Sequence, residues 1–255
     1  HPDLHSFPTR RSSDLAILGL KITCADAYEL AKFDKEKFVE IRRNSFGASD
    51  SSILLGVNPF SDRAKLMEQK CAKEITQEEI EIGEKENVRK GADLEPLILN
   101  KFEAWSGFDT YKPDAMYQIV LHPQLTVNFD GVICLENTYI PVEAKFVSTY
   151  AVKYWNKSKA IKAPHEGFPV RCAGKDIQTH IKDTAEAYGI PPYYFTQLQQ
   201  QLFALNAPFG YLAALFDKGW ELNVFKVFAD TATQYALLDI SKEVWDAIEE
   251  KKKAS

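Results

Sequence analysis

The chain is poor in sulfur. Its 255 residues include four cysteines and two methionines, and Cys24, Cys71, Cys134 and Cys172 stand apart with no Cys-x-x-Cys pair. That spacing argues against a zinc or iron–sulfur site and for a reducing compartment, with the cysteines as core or surface thiols. No apolar run approaches the roughly 20 residues needed to span a bilayer, so no membrane partner is expected. Internal repeats and low-complexity tracts are absent too, which excludes fibrous and solenoid classes. An excess of positive charge is also missing: 31 Lys and Arg face 36 Asp and Glu, for a net formal charge of −5. At first sight that argues against a nucleic-acid partner. What is present, 45% hydrophobic and 26% charged residues, is enough to bury a sizeable core in one large globular domain.

The first fifteen residues, His1 to Leu15, differ from the rest. They lack an initiator Met and any periodicity, and they resemble translated sequencing-adaptor sequence, so residues 1–15 are read as non-native and residues 16–255 as a single domain. Arg10 and Arg11 precede an apolar run from Leu15 to Leu20 in the order of a signal peptide, but Lys21 closes that run after six residues. A secretory signal is not expected.

Helical patterning fills the front half. Ala25 to Arg43, Arg63 to Ala72, and Glu78 to Trp105 read as helices, the last interrupted near Gly91 and Pro96. Between the first two, Gly47-Ala48-Ser49-Asp50 offers capping oxygens to a short helix at Ile53-Leu54-Leu55 that Gly56 and Asn58-Pro59 end. Behind it, the period changes to two. Met116 to Leu121, Leu125 to Cys134, Tyr139 to Val147, Tyr211 to Phe216 and Leu222 to Phe228 read as five strands. A helical tract from Tyr150, a long polar connection and a helix from about Pro192 to Leu205 separate the third strand from the fourth, and a C-terminal helix ends in Lys251-Lys252-Lys253. This is an α/β (α+β) pattern, a mixed five-stranded sheet flanked by helices.

Three features carry chemistry. Asp130 sits at a strand–turn junction, and a hairpin later comes Glu143-Ala144-Lys145. Alternate strand residues share a face, so Glu143 and Lys145 point one way while Val142, Ala144 and Phe146 point the other. Two convergent carboxylates suit a hard cation such as Mg²⁺, and a nearby lysine can orient or deprotonate water or stabilise phosphate charge. A solvated strand face carries the same triplet, so context must decide. Glu95 is the second feature. Ile98, Leu99 and Phe102 share its helix face, where a carboxylate needs a partner: Arg89 or Lys90, a capping role ahead of Pro96, or the metal site itself. Third, Gln197, Gln199, Gln200 and Gln201 cluster on one helix; one facing inward can hold a phosphate oxygen or a catalytic carboxylate, or all are surface helix formers.

Taken in order, Gly47-x-Ser49-Asp50 with Leu55-Gly56-Val57-Asn58-Pro59-Phe60, Gly91-x-x-x-Glu95-Pro96, Phe129-Asp130-Gly131, Glu143-Ala144-Lys145 and Pro191-Pro192-Tyr193-Tyr194-x-x-Gln197-x-Gln199 resemble the YqaJ-type viral recombinases. These are relatives of phage lambda exonuclease within the PD-(D/E)xK nuclease superfamily. The resemblance runs from about Arg42 to Phe228. It implies a restriction-endonuclease-like core, with Asp130, Glu143 and the main-chain carbonyl of Ala144 as metal ligands for Mg²⁺, or Mn²⁺ in its place. Lys145 would position or activate the water, Glu95 would complete the site, and Gln197 would contact its network. Arg42, seven residues before Ser49, would join it in holding a 5′ phosphate; the alternative for Arg42 is a solvated helix-end charge.

Two departures stand out: Pro141 just before the catalytic segment, where a central strand would lose a ladder bond, and an insertion at about 156–190. From Lys145 to Lys182 the chain carries eight basic residues against two acidic ones, with Tyr150, Tyr154 and Trp155 among the first. Such a tract, Lys157, Lys159 and Lys162 foremost, suits phosphate contacts and base stacking, or is a solvated loop. The resemblance therefore implies a Mg²⁺-dependent 5′→3′ exonuclease acting on double-stranded DNA ends. It would belong to phage or prophage recombination in the cytoplasm of a bacterial host, act as a homo-oligomeric ring trimer, and hand 3′ strands to a single-strand annealing protein. An endonuclease of the same fold and a non-catalytic DNA-binding recombination factor are the alternatives.

Overall fold

In the computed structural model, which describes residues 20–24, 40–72, 86–113, 116–119, 121–136, 138–170, 172, 174 and 176–254, with the backbone alone at 20–24 and 86–88, the strands form two mixed sheets. In spatial order the first holds β1 (Leu20–Cys24), β3 (Met116–Ile119), β4 (His122–Val127) and β2 (Phe46–Gly47). The second holds β5 (Gly131–Leu135), β6 (Thr138–Val147), β7 (Phe209–Phe216) and β8 (Glu221–Phe228). The fold class is α/β as expected, but the five-stranded sheet divides into two sheets of four strands. The cause is a break inside the expected strand Leu125 to Cys134. Pairing with β3 ends at Val127, the chain bends through Asn128-Phe129-Asp130, and pairing with β6 begins at Gly131. At Gly131 the missing side chain leaves room for Leu99, whose Cδ2 would stand 3.0 Å from a Cβ there.

Within the second sheet, β5 and β6 form an antiparallel hairpin, β6 and β7 run parallel, and β7 and β8 are antiparallel. Pro141 costs the sheet little. Its partner Val132 exchanges both backbone bonds, each 2.8 Å, with Tyr111 on the far side of β5, so the Val132–Pro141 pair needs no bond between its members. Pairing of β6 with β7 starts one residue later, at Val142.

Among the described residues the helices with full bounds are α1 (Ser51–Leu54), α2 (Arg63–Cys71), α3 (Glu86–Ser106), α4 (Ile177–Tyr188), α5 (Pro192–Leu205) and α6 (Thr231–Ala254). Contrary to the expected interruption, α3 runs through Gly91 and Pro96. Pro96 is exposed, so the carbonyl it leaves unbonded faces solvent, while Ile98, Leu99 and Phe102 anchor the following turns in the core. No long helix follows Tyr150; two 3₁₀ turns, Val152–Tyr154 and Lys157–Lys159, stand there. The long connection expected to be polar contains α4. Its Ile177, Ile181, Ala185 and Tyr188 recur at helical spacing toward the core, Asp176 caps its start by accepting from Thr179 N at 2.9 Å, and Gly189 ends it at φ 77°. The expected helix Ala25–Arg43 lies outside the described residues except at 40–43, which are helical. Residues 1–15 and 78–85, and the tract members Arg171 and Lys175, also lie outside them.

Parallel neighbours need a crossover, usually helical, and here α4 and α5 are that crossover between β6 and β7. It covers one face of β6 with α5. The other face meets α3, whose Phe102 ring packs 5.3 Å from that of Tyr211, the partner of Val142. One glutamine on α5 ties the helix to the first sheet: buried Gln200 accepts from Ser51 Oγ at 2.5 Å and donates to the carbonyls of Phe46 in β2 at 3.2 Å and Thr126 in β4 at 2.9 Å. Replacing it by methionine fills much of the volume but strands two buried carbonyls. Gln200→Met should lower stability by about 3 kcal/mol, read from urea unfolding followed by tryptophan fluorescence; a loss within error of zero would refute this bridging role.

Candidate active site

Glu143 lies in the middle of β6 with 1% of its surface exposed. A carboxylate so placed must be matched by donors, and three converge on it. Oε1 accepts from Lys145 Nζ and from Gln197 Nε2, and Oε2 accepts from Gln201 Nε2 at 2.6 Å. Strand alternation supplies the lysine, and spacing of four on α5 supplies both amides. The glutamines are not a solvated face: Gln199, Gln200 and Gln201 are all buried, and Gln199 donates to Phe228 O at 2.9 Å and accepts from Asp230 N at 2.8 Å.

Asp130 ends the bend between the sheets and accepts from Ala144 N at 2.9 Å through Oδ2. N–H and C=O of one strand residue leave by the same edge, so the Ala144 carbonyl opens toward Asp130 as well. Burial and the neighbouring Glu143 carboxylate push the Asp130 carboxyl well above its usual range, Glu95 adds to this, and Lys145 and the Ala144 N–H pull against it. For Lys145, burial opposes the charge, yet Glu143 and Asp130 outweigh it and raise the lysine. Its ammonium also sits 5.2 Å from the centroid of the Tyr194 ring.

Glu95 reaches this group from α3, near enough to act on Asp130. Its ion-pair partner is Lys112, not Arg89 or Lys90. Pairing with Lys112 depends on the chain returning beside α3 after Ser106, which helical spacing does not reveal.

Among the described residues no group of three or more His, Cys, Asp or Glu side chains stands in metal-holding geometry. Two carboxylates and a main-chain carbonyl nonetheless fit a hard cation that keeps several waters, such as Mg²⁺. The burial of Asp130 beside Glu143 and Glu95, which pushes its carboxyl up, is what such a cation would relieve.

A second cluster stands where α1 begins. Arg42 Nη2 donates to Ser49 Oγ at 3.1 Å and to Asp50 at 3.2 Å, and Asp50 also takes Gly47 N at 2.9 Å and Lys70 Nζ at 3.3 Å. Arg42 is therefore not a solvated helix-end charge. Gly47 makes the arrangement possible, since a Cβ there would fall 2.1 Å from Arg42 Nη1. Burial opposes charge on Asp50, but Arg42, Lys70 and the Gly47 N–H hold its carboxyl below the ordinary range.

The basic tract is less uniform. Lys157 pairs with Glu221 at 2.7 Å and lies 4.2 Å over the Phe216 ring, whereas the side chains of Lys159 and Lys162 are exposed. Trp155 is buried against Tyr194, Phe216 and Phe225, so it is a core residue and not a stacking surface; Tyr150 and Tyr154 are exposed. Sequence reasoning missed Gln201, Lys112 and Lys70 as parts of these two clusters. Only for Gln201 was there a local signal, its spacing of four from Gln197.

The model of the YqaJ-like viral recombinase domain matches residues 37–206. No curated protein matches the chain. The fold is similar to the crystal structure of an alkaline exonuclease from Laribacter hongkongensis, with a TM-score of 0.55 and 14% identity over 86% of this chain and 97% of that one. The same exonuclease in complex with dAMP gives a TM-score of 0.52 at 14% identity, with 86% and 97% covered. This likeness concerns the fold.

Asp50 and Lys70 give the second cluster a pH signature. Burial brings Lys70 down from 10.5 to about 8 despite Asp50, with Arg42 adding to the fall. Between those values the unfolded chain holds a proton that the folded one has lost, so this lysine makes stability rise with pH across that window. The unfolding free energy of Lys70→Met should rise less than that of the unaltered protein between about pH 8 and 10.5; identical slopes would contradict the lowered value.

Proposed function

The chain belongs to the YqaJ-like viral recombinase domain family, and from that premise we propose that it is a metal-dependent DNA exonuclease that degrades duplex DNA from its ends in the 5′→3′ direction. The observation that carries this reading is the buried Glu143 carboxylate, held by Lys145, Gln197 and Gln201 beside Asp130.

Asp130, Glu143 and the Ala144 carbonyl would hold Mg²⁺, or Mn²⁺ in its place, and the cation when bound supplies Lewis acidity toward a phosphoryl oxygen and a more acidic attacking water. The chain's own groups do the rest. Lys145 presents an ammonium beside the carboxylates, suited to orienting the water and to stabilising negative charge that builds on phosphate. Glu95, paired with Lys112, completes the acidic rim. Gln197 keeps the Glu143 carboxylate from rotating. Arg42 and Ser49 are assigned to the 5′ phosphate, because a planar guanidinium already aligned by Ser49 and Asp50 retains donors for a multi-oxygen anion. Lys159 and Lys162, and Lys157 where it exchanges Glu221 for phosphate, provide sequence-independent backbone contacts. No described helix is long and apolar enough to cross a membrane. A ring of three copies and delivery of 3′ strands to an annealing protein belong to the same reading.

Removing one charged ligand oxygen should be close to lethal for chemistry alone. Asp130→Asn and Glu143→Gln should each slow cleavage of linear duplex at least about a thousandfold while retaining a cooperative melt and DNA binding; near-normal rates in either would reject the site. End recognition is tested separately. Linear duplex bearing 5′ phosphate should be digested faster than duplex with 5′ hydroxyl, Arg42→Ala should narrow that difference, and covalently closed circles should survive. Closed circles cut as fast as linear DNA would instead identify an endonuclease of the same fold.

A further inference from the structure

Gln201 is used twice by one nitrogen. Its Nε2 donates to Glu143 Oε2 at 2.6 Å and to the carbonyl of Asn128 at 3.0 Å, which spends both amide hydrogens. The opposite orientation of the amide is excluded by chemistry, because Oε1 would then face two acceptors. As placed, Gln201 Oε1 is buried with no hydrogen-bond partner among the described residues. An amide oriented at the expense of its own oxygen points to the donor end as the part that matters.

The bonds on Glu143 can be counted lone pair by lone pair. Each carboxylate oxygen offers about two. Oε1 already receives Lys145 and Gln197, whereas among the described residues Oε2 receives Gln201 alone. One acceptor direction is left, on Oε2. Through Asn128 the same amide grips the chain two residues before Asp130, so the second carboxylate cannot drift from the first without breaking a bond to Gln201.

We propose that Gln201 is a positioning residue that confines Glu143 to one-point ligation through Oε2 at a fixed span from Asp130, and so makes the site favour a small octahedral cation over Ca²⁺. This rests on the metal-site reading above. Mg²⁺ and Mn²⁺ accept single-oxygen ligation in near-octahedral geometry; Ca²⁺ takes six to eight oxygens and gains from two-oxygen carboxylate contacts. Oε1 stays turned to Lys145 and Gln197 only while the carboxylate keeps this angle, and Gln201, joining Oε2 to the Asn128 carbonyl, holds that angle; without it the carboxylate can turn and present both oxygens.

The test is binding of Mn²⁺ and of Ca²⁺, each measured by titration calorimetry without DNA, to the unaltered protein, Gln201→Met and Gln199→Met. Gln199 lies on the same helix and ties Phe228 and Asp230 without touching Glu143, so its substitution reports general loosening. The ratio of Mn²⁺ to Ca²⁺ affinity should fall about tenfold or more in Gln201→Met and stay unchanged in Gln199→Met. An unchanged ratio in Gln201→Met, or an equal fall in both variants, overturns the proposal. Should Gln201→Met not fold, the unaltered protein crystallised with Mn²⁺ decides: ligation by Glu143 Oε2 alone, with Gln201 still on that oxygen, upholds it, and two-oxygen ligation or ligation through Oε1 overturns it. Failure of the unaltered protein to bind Mn²⁺ at all would remove the metal site itself and this inference with it.

Discussion

A carboxylate buried in a central strand has to be answered from the elements around it, and Glu143 shows how far such a demand reaches. A bare charge in that position would be untenable, and one ammonium alone would leave an oxygen unmatched. The answer comes from β6 itself through Lys145 and from α5 through two amides. Amides suit the task because they donate without adding a charge that a bound cation would have to oppose. Having turned one face of α5 to polar use, the sequence continues the pattern: Gln200 closes on the carbonyls of Phe46 and Thr126, and Gln199 on Phe228 and Asp230. The helix joins the two sheets by these hydrogen bonds together with the apolar packing of Leu198, Leu202 and Leu205.

The position of Asp130 follows from the division of the sheets. An acid within a ladder would point up or down at fixed spacing from Glu143. In the bend between β4 and β5 it is free of the ladder and turns inward, where the Ala144 N–H meets it. The break that separates the sheets is therefore also what brings the second carboxylate to the first. Leu99 occupies the space a side chain at position 131 would need, which couples that joint to the packing of α3, the helix that carries Glu95.

Much of this was legible in the sequence because it is local. Glu143 and Lys145 share a face by strand alternation, Gln197 faces inward on a helix with its apolar neighbours, and Arg42 meets Ser49 across a capped turn. The remainder was not legible because it depends on where the chain returns. The division into two sheets turns on three residues whose apolar and polar pattern continues a strand through Asn128-Phe129-Asp130. Lys112 and Lys70 reach their acids from segments with no periodic relation to them. The helix α4 was missed for another reason: with Gln178, Thr179, His180, Lys182 and Asp183 between its apolar positions, its composition resembles a loop, and only the spacing of Ile177, Ile181, Ala185 and Tyr188 betrays it.

Charge is the remaining puzzle, because a net formal charge of −5 sits poorly with a polyanionic substrate. Arrangement matters more than the sum, since exposed charges farther apart than about 10 Å are largely screened. Under the proposed reading the acids at the centre would hold a cation and would count against DNA only while none is bound. Of the basic tract, Lys157 is already engaged by Glu221, while Lys159 and Lys162 remain exposed, as do the rings of Tyr150 and Tyr154. Arg42 is likewise pre-aligned, not loose. Under the exonuclease reading, a chain built this way would hold duplex DNA weakly along its length and firmly only where a cation, a terminal phosphate and a few exposed lysines act together. On the same reading, weak hold along the duplex would confine hydrolysis to ends, and the acidic remainder of the surface would support that confinement.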